Sequence, residues 1–179
     1  MNNFEFRKRL SKITEETLLE QHEELVSNLA NEHPHSIILK LGKPDGKKSN
    51  YNCFIFAFNL TDSPVYEEIA STPPYNVFAN SEFCDFLLKK RILEEKTWDD
   101  KNEGDIIMYF DEGVPKHAGK IYAHRIISKW GTGHLWEHDI YEVPISYGNE
   151  YRIFSTLSEA LAITAFIEYA KSKGKTFAT

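Results

Sequence analysis

Cysteine is scarce in this sequence, which has only Cys53 and Cys84 among its 179 residues. So few thiols argue against a disulfide scaffold and against a zinc site built from four cysteines. Long apolar runs are also absent: residues 54–58 fall far short of the roughly twenty residues that a membrane helix needs. We therefore treat each cysteine as a single thiol and expect no membrane partner.

Positive charge is in deficit as well, with 21 Lys and Arg against 27 Asp and Glu and a formal net charge of −6. A protein without a net positive field does not attract phosphate backbones, so we expect no nucleic acid partner. Residues 1–25 are charged throughout and lack the apolar core of a secretory signal. This favours a cytoplasmic location, or export by a route that needs no classical signal peptide.

The apolar and aromatic side chains that are present suffice for a folded core. Hydrophobic residues make up 41% of the chain and aromatic residues 13%, which excludes disorder over most of its length. Apolar spacing and capping residues predict helices over residues 14–31, 53–60, 82–92 and 156–174. Strands are predicted over residues 37–41, 105–110, 116–127 and 135–143. The last three strands are closely linked, which indicates an antiparallel meander within an α+β fold.

Caps and loops complete this predicted organisation. Thr14 is the expected cap of the first helix, and Thr156 with Glu159 forms an expected capping box ahead of the last. Residues 42–50 read as a polar, turn-rich loop, and residues 61–76, with three prolines, as a loop containing about one helical turn. We expect one globular unit.

Cys53 is the residue with the clearest chemical potential. It follows a polar, turn-forming stretch and opens an apolar helix, where the partial positive charge of the first turn favours a thiolate. A nucleophilic thiol also needs a base, and His117 begins the second strand of the meander, where its imidazole can face the helix start. Gly119 shares the face of His117 and is expected to leave open space beside the ring.

These motifs resemble the NlpC/P60 branch of the papain-like cysteine peptidases and amidases. The resemblance rests on a cysteine opening an apolar helix, a Gly-Asp strand at residues 103–110, and a His-Ala-Gly opening the next strand. It spans roughly residues 50–130. It implies a papain-like catalytic domain over residues 49–179. Residues 1–48 lie outside the resemblance, and we expect them to form a helical extension packed on the core. The resemblance also implies Cys53 as nucleophile, and His117 as base and then acid.

The remaining members of such a site are less sharply marked. A third residue would hold the imidazole in its useful tautomer, and Ser128, Glu137, His138 and Asp139 are the candidates, with His138 preferred. The developing oxyanion would be held by the Asn52 side chain or by the backbone N–H of Cys53, because donors at a helix start point to that side.

The expected function is therefore cleavage or acyl transfer at an amide bond of a peptide or protein, with no metal or organic cofactor. Peptidase, amidase and glutamine deamidase activities all stay open. The alternative is a binding or immunity-like module that keeps the fold without catalysis. His124, His134 and His138 form the nearest candidate metal cluster, but they lack a metal-binding motif. Cys84 is expected to lie in the core, and residues 128–138, rich in Gly and Trp, to pack over a turn or line the substrate cleft.

Overall fold

A computed structural model describes residues 1–42 and 51–177 of the chain. The turn-rich loop predicted at residues 42–50 lies almost wholly outside these residues. Within them, six α-helices are present: α1 (Asn3–Glu16), α2 (His22–Leu29), α3 (Cys53–Ala57), α4 (Pro64–Ser71), α5 (Ser81–Lys89) and α6 (Glu159–Ser172). None of the helices in these residues is long and apolar enough to cross a membrane.

The described strands form a single antiparallel sheet in the order β1-β6-β5-β4-β3-β7-β2. Its strands are β1 (Ile38–Leu41), β2 (Glu95–Lys96), β3 (Ile106–Asp111), β4 (Val114–Tyr122), β5 (Arg125–Lys129), β6 (Leu135–His138) and β7 (Glu150–Phe154). Consecutive strands β3 to β6 are neighbours, so the predicted antiparallel meander and the α+β class are confirmed.

The two faces of this sheet carry separate cores, because successive side chains on a strand point to opposite sides. Ile106, Met108 and Ala118 join α3, α4, α5 and α6 in one cluster, on what we call the α3 face. Ile107 and Tyr109 belong to a second cluster on the opposite side, which we call the α1 face. There a third cluster joins α1 and α2 to Trp130 and Trp136.

The predicted helix over residues 14–31 is wrong in its position. Instead, α1 ends at Glu16, a short 3-10 helix covers Leu19–Gln21, and α2 follows. Thr14 is not a cap, because its hydroxyl donates back to the carbonyl of Leu10 inside α1. The buried stripe of α1 comprises Phe6, Leu10 and Ile13 at helical spacing. That stripe, rather than the later leucines, sets where the first helix lies.

Several other boundaries also differ from the predictions. The strand expected over residues 116–127 is two strands, β4 and β5, joined by a tight turn in which Ala123 has a φ of 54°. The strand expected over residues 135–143 ends at His138. Helix α4 has eight residues instead of a single turn. Ser158, not Thr156, caps α6, since its hydroxyl accepts from the N–H of Leu161.

Residues 1–42 contribute directly to the sheet. Strand β1 pairs with β6 as one edge of the sheet. Arg7 of α1 donates to the carbonyls of Val143 (3.0 Å) and Gly148 (2.5 Å) and to Oδ1 of Asn149 (3.1 Å). The N-terminal segment is thus bound to the loop between β6 and β7 by a buried guanidinium.

Candidate active site

Cys53 is the first residue of α3 and packs against the middle of β4. The helix starts here because Oδ1 of Asn52 accepts from the N–H groups of Phe54 and Ile55, both at 2.9 Å. The thiol is 6% exposed and belongs to the core cluster of the α3 face. Cys84 is fully buried in the same cluster, as expected for a core cysteine.

The thiol of Cys53 is protonated in this environment. Burial raises its pKa to about 12, although the backbone N–H groups of Ala118, Phe54 and Cys53 itself act in the opposite direction. Burial therefore outweighs the favourable effect of the helix start that the sequence led us to expect.

His117 lies on β4, one residue before Ala118, with its ring on the α1 face. The imidazole stacks on Tyr147, with ring centroids 4.0 Å apart and an interplanar angle of 14°, and also contacts Tyr109. His117 is 1% exposed, and its Nε2 is buried with no hydrogen-bond partner in the described part of the chain. Burial lowers its pKa well below the ordinary value, and the nearby charge of His138 acts in the same direction. The imidazole is neutral.

Cys53 packs on the α3 face beside Ala118, whereas the ring of the preceding residue, His117, lies on the α1 face. In the described residues β5 pairs with β4 only from Gly119 to Tyr122, which leaves an opening beside the start of β4. The backbone N–H of Ala118 acts here to lower the pKa of Cys53. The ring of Tyr147 stacks on His117, and a charge on Cys53 contributes, after burial, to raising the pKa of Tyr147. Among the described residues, no hydrogen bond joins the thiol to the imidazole.

His138, the preferred third member, is occupied by other partners. Its Nδ1–H donates to the carbonyl of Asp139 and its Nε2 accepts from the hydroxyl of Ser128, both at 2.8 Å. Burial lowers the pKa of His138 to about 4, so the ring is neutral. Neither His138 nor Ser128 hydrogen-bonds to His117 here.

The other predicted candidates also have their own partners. Glu137 forms ion pairs with Lys40 (2.9 Å) and Arg125 (3.4 Å). Asp139 is exposed and pairs with Arg125 at 2.6 Å. The amide of Asn52 is used at both of its polar atoms: its Nδ2 donates one hydrogen bond to the carbonyl of Ala79 at 2.9 Å, and its oxygen caps α3. The backbone N–H of Cys53 remains as the oxyanion donor suggested by the sequence.

Gly119 does not leave open space beside His117, contrary to expectation. A Cβ added there would lie 2.8 Å from the carbonyl oxygen of Ile127 and 2.9 Å from Cβ of Ser128. The glycine is needed because β5 approaches β4 closely at this point.

A pocket of about 470 Å³ lies beside this opening, on the side of Tyr147. Its walls include Trp130, Gly131 and Gly133 from the turn after β5, and Leu19 from the break between α1 and α2. Part of the Gly- and Trp-rich segment therefore lines a pocket. Trp130 also has a buried Nε1 without a partner in the residues described.

Sequence reasoning missed Tyr147 and Arg7. Tyr147 ends a short 3-10 helix, Ile145–Tyr147, that follows Pro144 and precedes Gly148, whose φ is 107°. A proline and a glycine around an aromatic residue indicate a shaped turn, but no motif connects this turn to His117. Arg7 is one of several cations in a charged segment, and only its burial distinguishes it.

The candidate metal cluster does not assemble. His124 is exposed in the turn between β4 and β5, whereas His138 is fully buried. In residues 1–42 and 51–177, no group of three or more His, Cys, Asp or Glu side chains is placed to hold a metal ion.

Comparison with known proteins identifies the family of this chain. Residues 43–155, more than half of the sequence, match the family described as "Domain of unknown function (DUF7689)". The chain belongs to this family, which includes Cys53, His117 and Tyr147 within its bounds. No curated protein and no solved structure matches the chain.

Proposed function

We propose that this protein is a thiol hydrolase or acyl-transfer enzyme with a papain-like arrangement, acting on an amide bond through Cys53 and His117. The observation that carries the proposal is the position of the sulfur. Cys53 is the first residue of α3, and the backbone N–H of Ala118, the residue that follows His117, acts to lower the pKa of the Cys53 thiol. The buried, unpartnered Nε2 of His117 supports it, because such a group is costly unless it has a use.

The chemistry would proceed from the neutral pair. The sulfur of Cys53 attacks the amide carbonyl while its proton passes to His117, which then gives that proton to the leaving amine. This leaves a thioester on Cys53. Water or a second amine attacks the thioester, and the thiol is restored as the acid or a new amide leaves. Backbone N–H groups at the start of α3 would stabilise the oxyanion of each tetrahedral intermediate.

Catalysis in this form requires the site to open. The ring of Tyr147 covers His117, and the thiol is almost fully buried. Substrate would enter from the pocket lined by Trp130 and Gly131, displace the ring of Tyr147 and reach both groups. The described arrangement then corresponds to a closed, unreactive state.

Acylation of the protein by p-nitrophenyl acetate, an activated ester, tests the proposal. We expect acetylation of Cys53 with release of p-nitrophenol, followed by slow hydrolysis of the thioester, detected by intact and peptide mass spectrometry. The reaction should disappear in Cys53→Ala and slow by about a hundredfold in His117→Ala, since a positioned base contributes about that much. Cys84→Ala is the matched control for a thiol without a role and should react as the wild type does.

A wild-type protein that reacts no faster than Cys53→Ala would contradict the proposal. If Cys53 is acylated as expected, a library of peptide amides would define the substrate. The measurement is the release of amine or ammonia by the wild type compared with Cys53→Ala. Equal release by both proteins would also count against an enzyme.

A non-catalytic binding module is the second candidate. Burial of both Cys53 and His117 favours it, since the two groups are held neutral and away from solvent. In that case both residues serve packing, and His117→Ala would change stability without changing the reactivity of any thiol. The acylation experiment separates the two candidates, because only the enzyme depends on the imidazole for its rate.

A further inference from the structure

A second pocket, of about 590 Å³, lies on the α3 face of the sheet. Lys120 of β4 lines it and is 9% exposed, whereas Asp62 and Glu159 line it from exposed positions. A lysine side chain is therefore buried in a pocket whose carboxylates are at the surface. Its volume falls in the range of small-molecule sites, about 300–1,000 Å³.

The ammonium of Lys120 lacks an ion pair in the described part of the chain. The ion pairs found there do not include it. Its Nζ donates to Oδ1 of Asn59 and lies 5.2 Å from the centroid of the Phe56 ring. Burial lowers the pKa of Lys120. Of its three N–H donors, only one has a hydrogen-bond acceptor here. An anionic group in the pocket would therefore supply both the missing acceptors and an opposite charge.

The rest of the pocket combines an apolar wall with acidic side chains. Tyr51 and Phe56 are stacked, with centroids 6.4 Å apart and an interplanar angle of 24°. Asp62 lines the same pocket as Tyr51, and after burial its charge contributes to raising the pKa of Tyr51. Asn59 is fixed by its Nδ2, which donates to the carbonyl of Leu157 at 2.8 Å. Its oxygen is thereby held toward Lys120.

We propose that this pocket binds a small zwitterion of the amino-acid type. The ligand carboxylate would bind the ammonium of Lys120, its apolar side chain would lie against Tyr51 and Phe56, and its ammonium group would face Asp62 and Glu159. A polyanion such as a nucleotide fits less well, because one buried cation does not balance several phosphate charges beside two carboxylates. The site does not use Cys53 and is independent of the proposed reaction.

Nuclear magnetic resonance titration with L-phenylalanine tests this site. We expect saturable shifts of backbone amide signals at residues 59–63 and 118–121. Phenylalaninamide, which lacks the carboxylate, should bind about tenfold more weakly or worse, in keeping with the loss of a charge-assisted hydrogen bond. N-acetyl-phenylalanine, which lacks the ammonium group, should also bind more weakly than the free amino acid.

Variants assign each contact. Lys120→Met should weaken L-phenylalanine binding about tenfold or more, while Lys116→Met, an exposed lysine on the same strand, should bind as the wild type does. Asp62→Asn combined with Glu159→Gln should weaken binding of L-phenylalanine but not of its N-acetyl form. Cys53→Ala should bind normally, which separates this site from the proposed reaction.

Three results would overturn the proposal. They are no saturable shift with L-phenylalanine, equal affinity for the amino acid and its amide, or unchanged binding in a folded Lys120→Met protein. The comparison of amino acid and amide uses the wild-type chain, so it stands even if the variant fails to fold.

Discussion

The ring of Tyr147 lies face to face with the imidazole of His117, with their centroids 4.0 Å apart. The turn that carries Tyr147 is held to α1 by Arg7, which donates to the carbonyl of Gly148, the next residue. A helix near the start of the chain therefore stabilises the aromatic cover of the candidate base. Exposure of His117 should depend on both residues.

Removing the Tyr147 ring should expose His117 to reagents. In Tyr147→Ala we expect His117 to react with diethyl pyrocarbonate at least about tenfold faster than in the wild type, because a buried nitrogen becomes accessible. Peptide mass spectrometry would measure the rate at that histidine. Tyr147→Phe keeps the ring, so His117 should react as slowly as in the wild type. Tyr141→Ala, which removes an exposed tyrosine, serves as the control. Equal rates in all four proteins would refute the covering role.

The pH dependence of Cys53 alkylation reports its protonation state. Because burial raises the pKa of the thiol to about 12, the thiolate fraction should grow about tenfold per pH unit between about pH 6 and pH 8. Iodoacetamide alkylation of a Cys84→Ala protein, with Cys53 as its remaining thiol, would measure this slope. A rate that is already constant with pH in this range would reveal a preformed thiolate and imidazolium pair, against the expectation.

His138 should make the fold sensitive to acid. Its pKa is about 4 in the folded protein, against 6.5 as the model-compound value, so the unfolded chain binds a proton in this interval and the native protein does not. The free energy of unfolding should fall as pH drops from about 6.5 to 4, by about 3 kcal/mol from this residue alone. Urea unfolding at several pH values would measure the loss, to which His117 adds in the same direction.

The control for this acid sensitivity is a second histidine. His138→Gln should flatten the pH dependence, while His124→Gln, at an exposed turn, should retain the wild-type slope. A slope that is the same in wild type and His138→Gln would mean that the buried ring is not the group that titrates.

Arg7 should contribute strongly to stability. Arg7→Met removes a buried guanidinium and leaves the carbonyls of Val143 and Gly148 without this donor. We expect a loss of about 2–4 kcal/mol in the free energy of unfolding, measured by urea denaturation. Arg9→Met, on the same helix, breaks an exposed pair with Glu32 and should cost no more than about 1 kcal/mol. Similar losses for both variants would contradict the role of the buried contacts.

Local sequence pattern predicted the elements that carry Cys53 and His117. The apolar run that begins at Cys53 predicts a helix because the signal lies within a few residues, and α3 forms there with Asn52 as its cap. The strand containing His117 was also recognised from alternation and flanking turns. The stripe of Phe6, Leu10 and Ile13 was equally readable, but it is embedded among charged residues and was missed.

The surroundings of these residues depend on contacts that no local pattern encodes. Arg7 meets the β6–β7 loop across more than 130 positions. The crowding at Gly119 follows from the register of β4 against β5, which sets Ser128 opposite it. The high pKa of Cys53 follows from burial under tertiary packing, which local helix-start electrostatics do not predict.

The position of β1 limits how the chain can be divided. An expressed fragment restricted to residues 43–155, the span shared with the family, would lack β1, which pairs with Leu135 and Trp136 of β6. It would also lack the α6 side chains that fill the core on the α3 face. Its β6 would present bare backbone donors and acceptors, a template for pairing between molecules and hence for aggregation. The span matched to the family is smaller than the set of residues that builds the sheet and its cores.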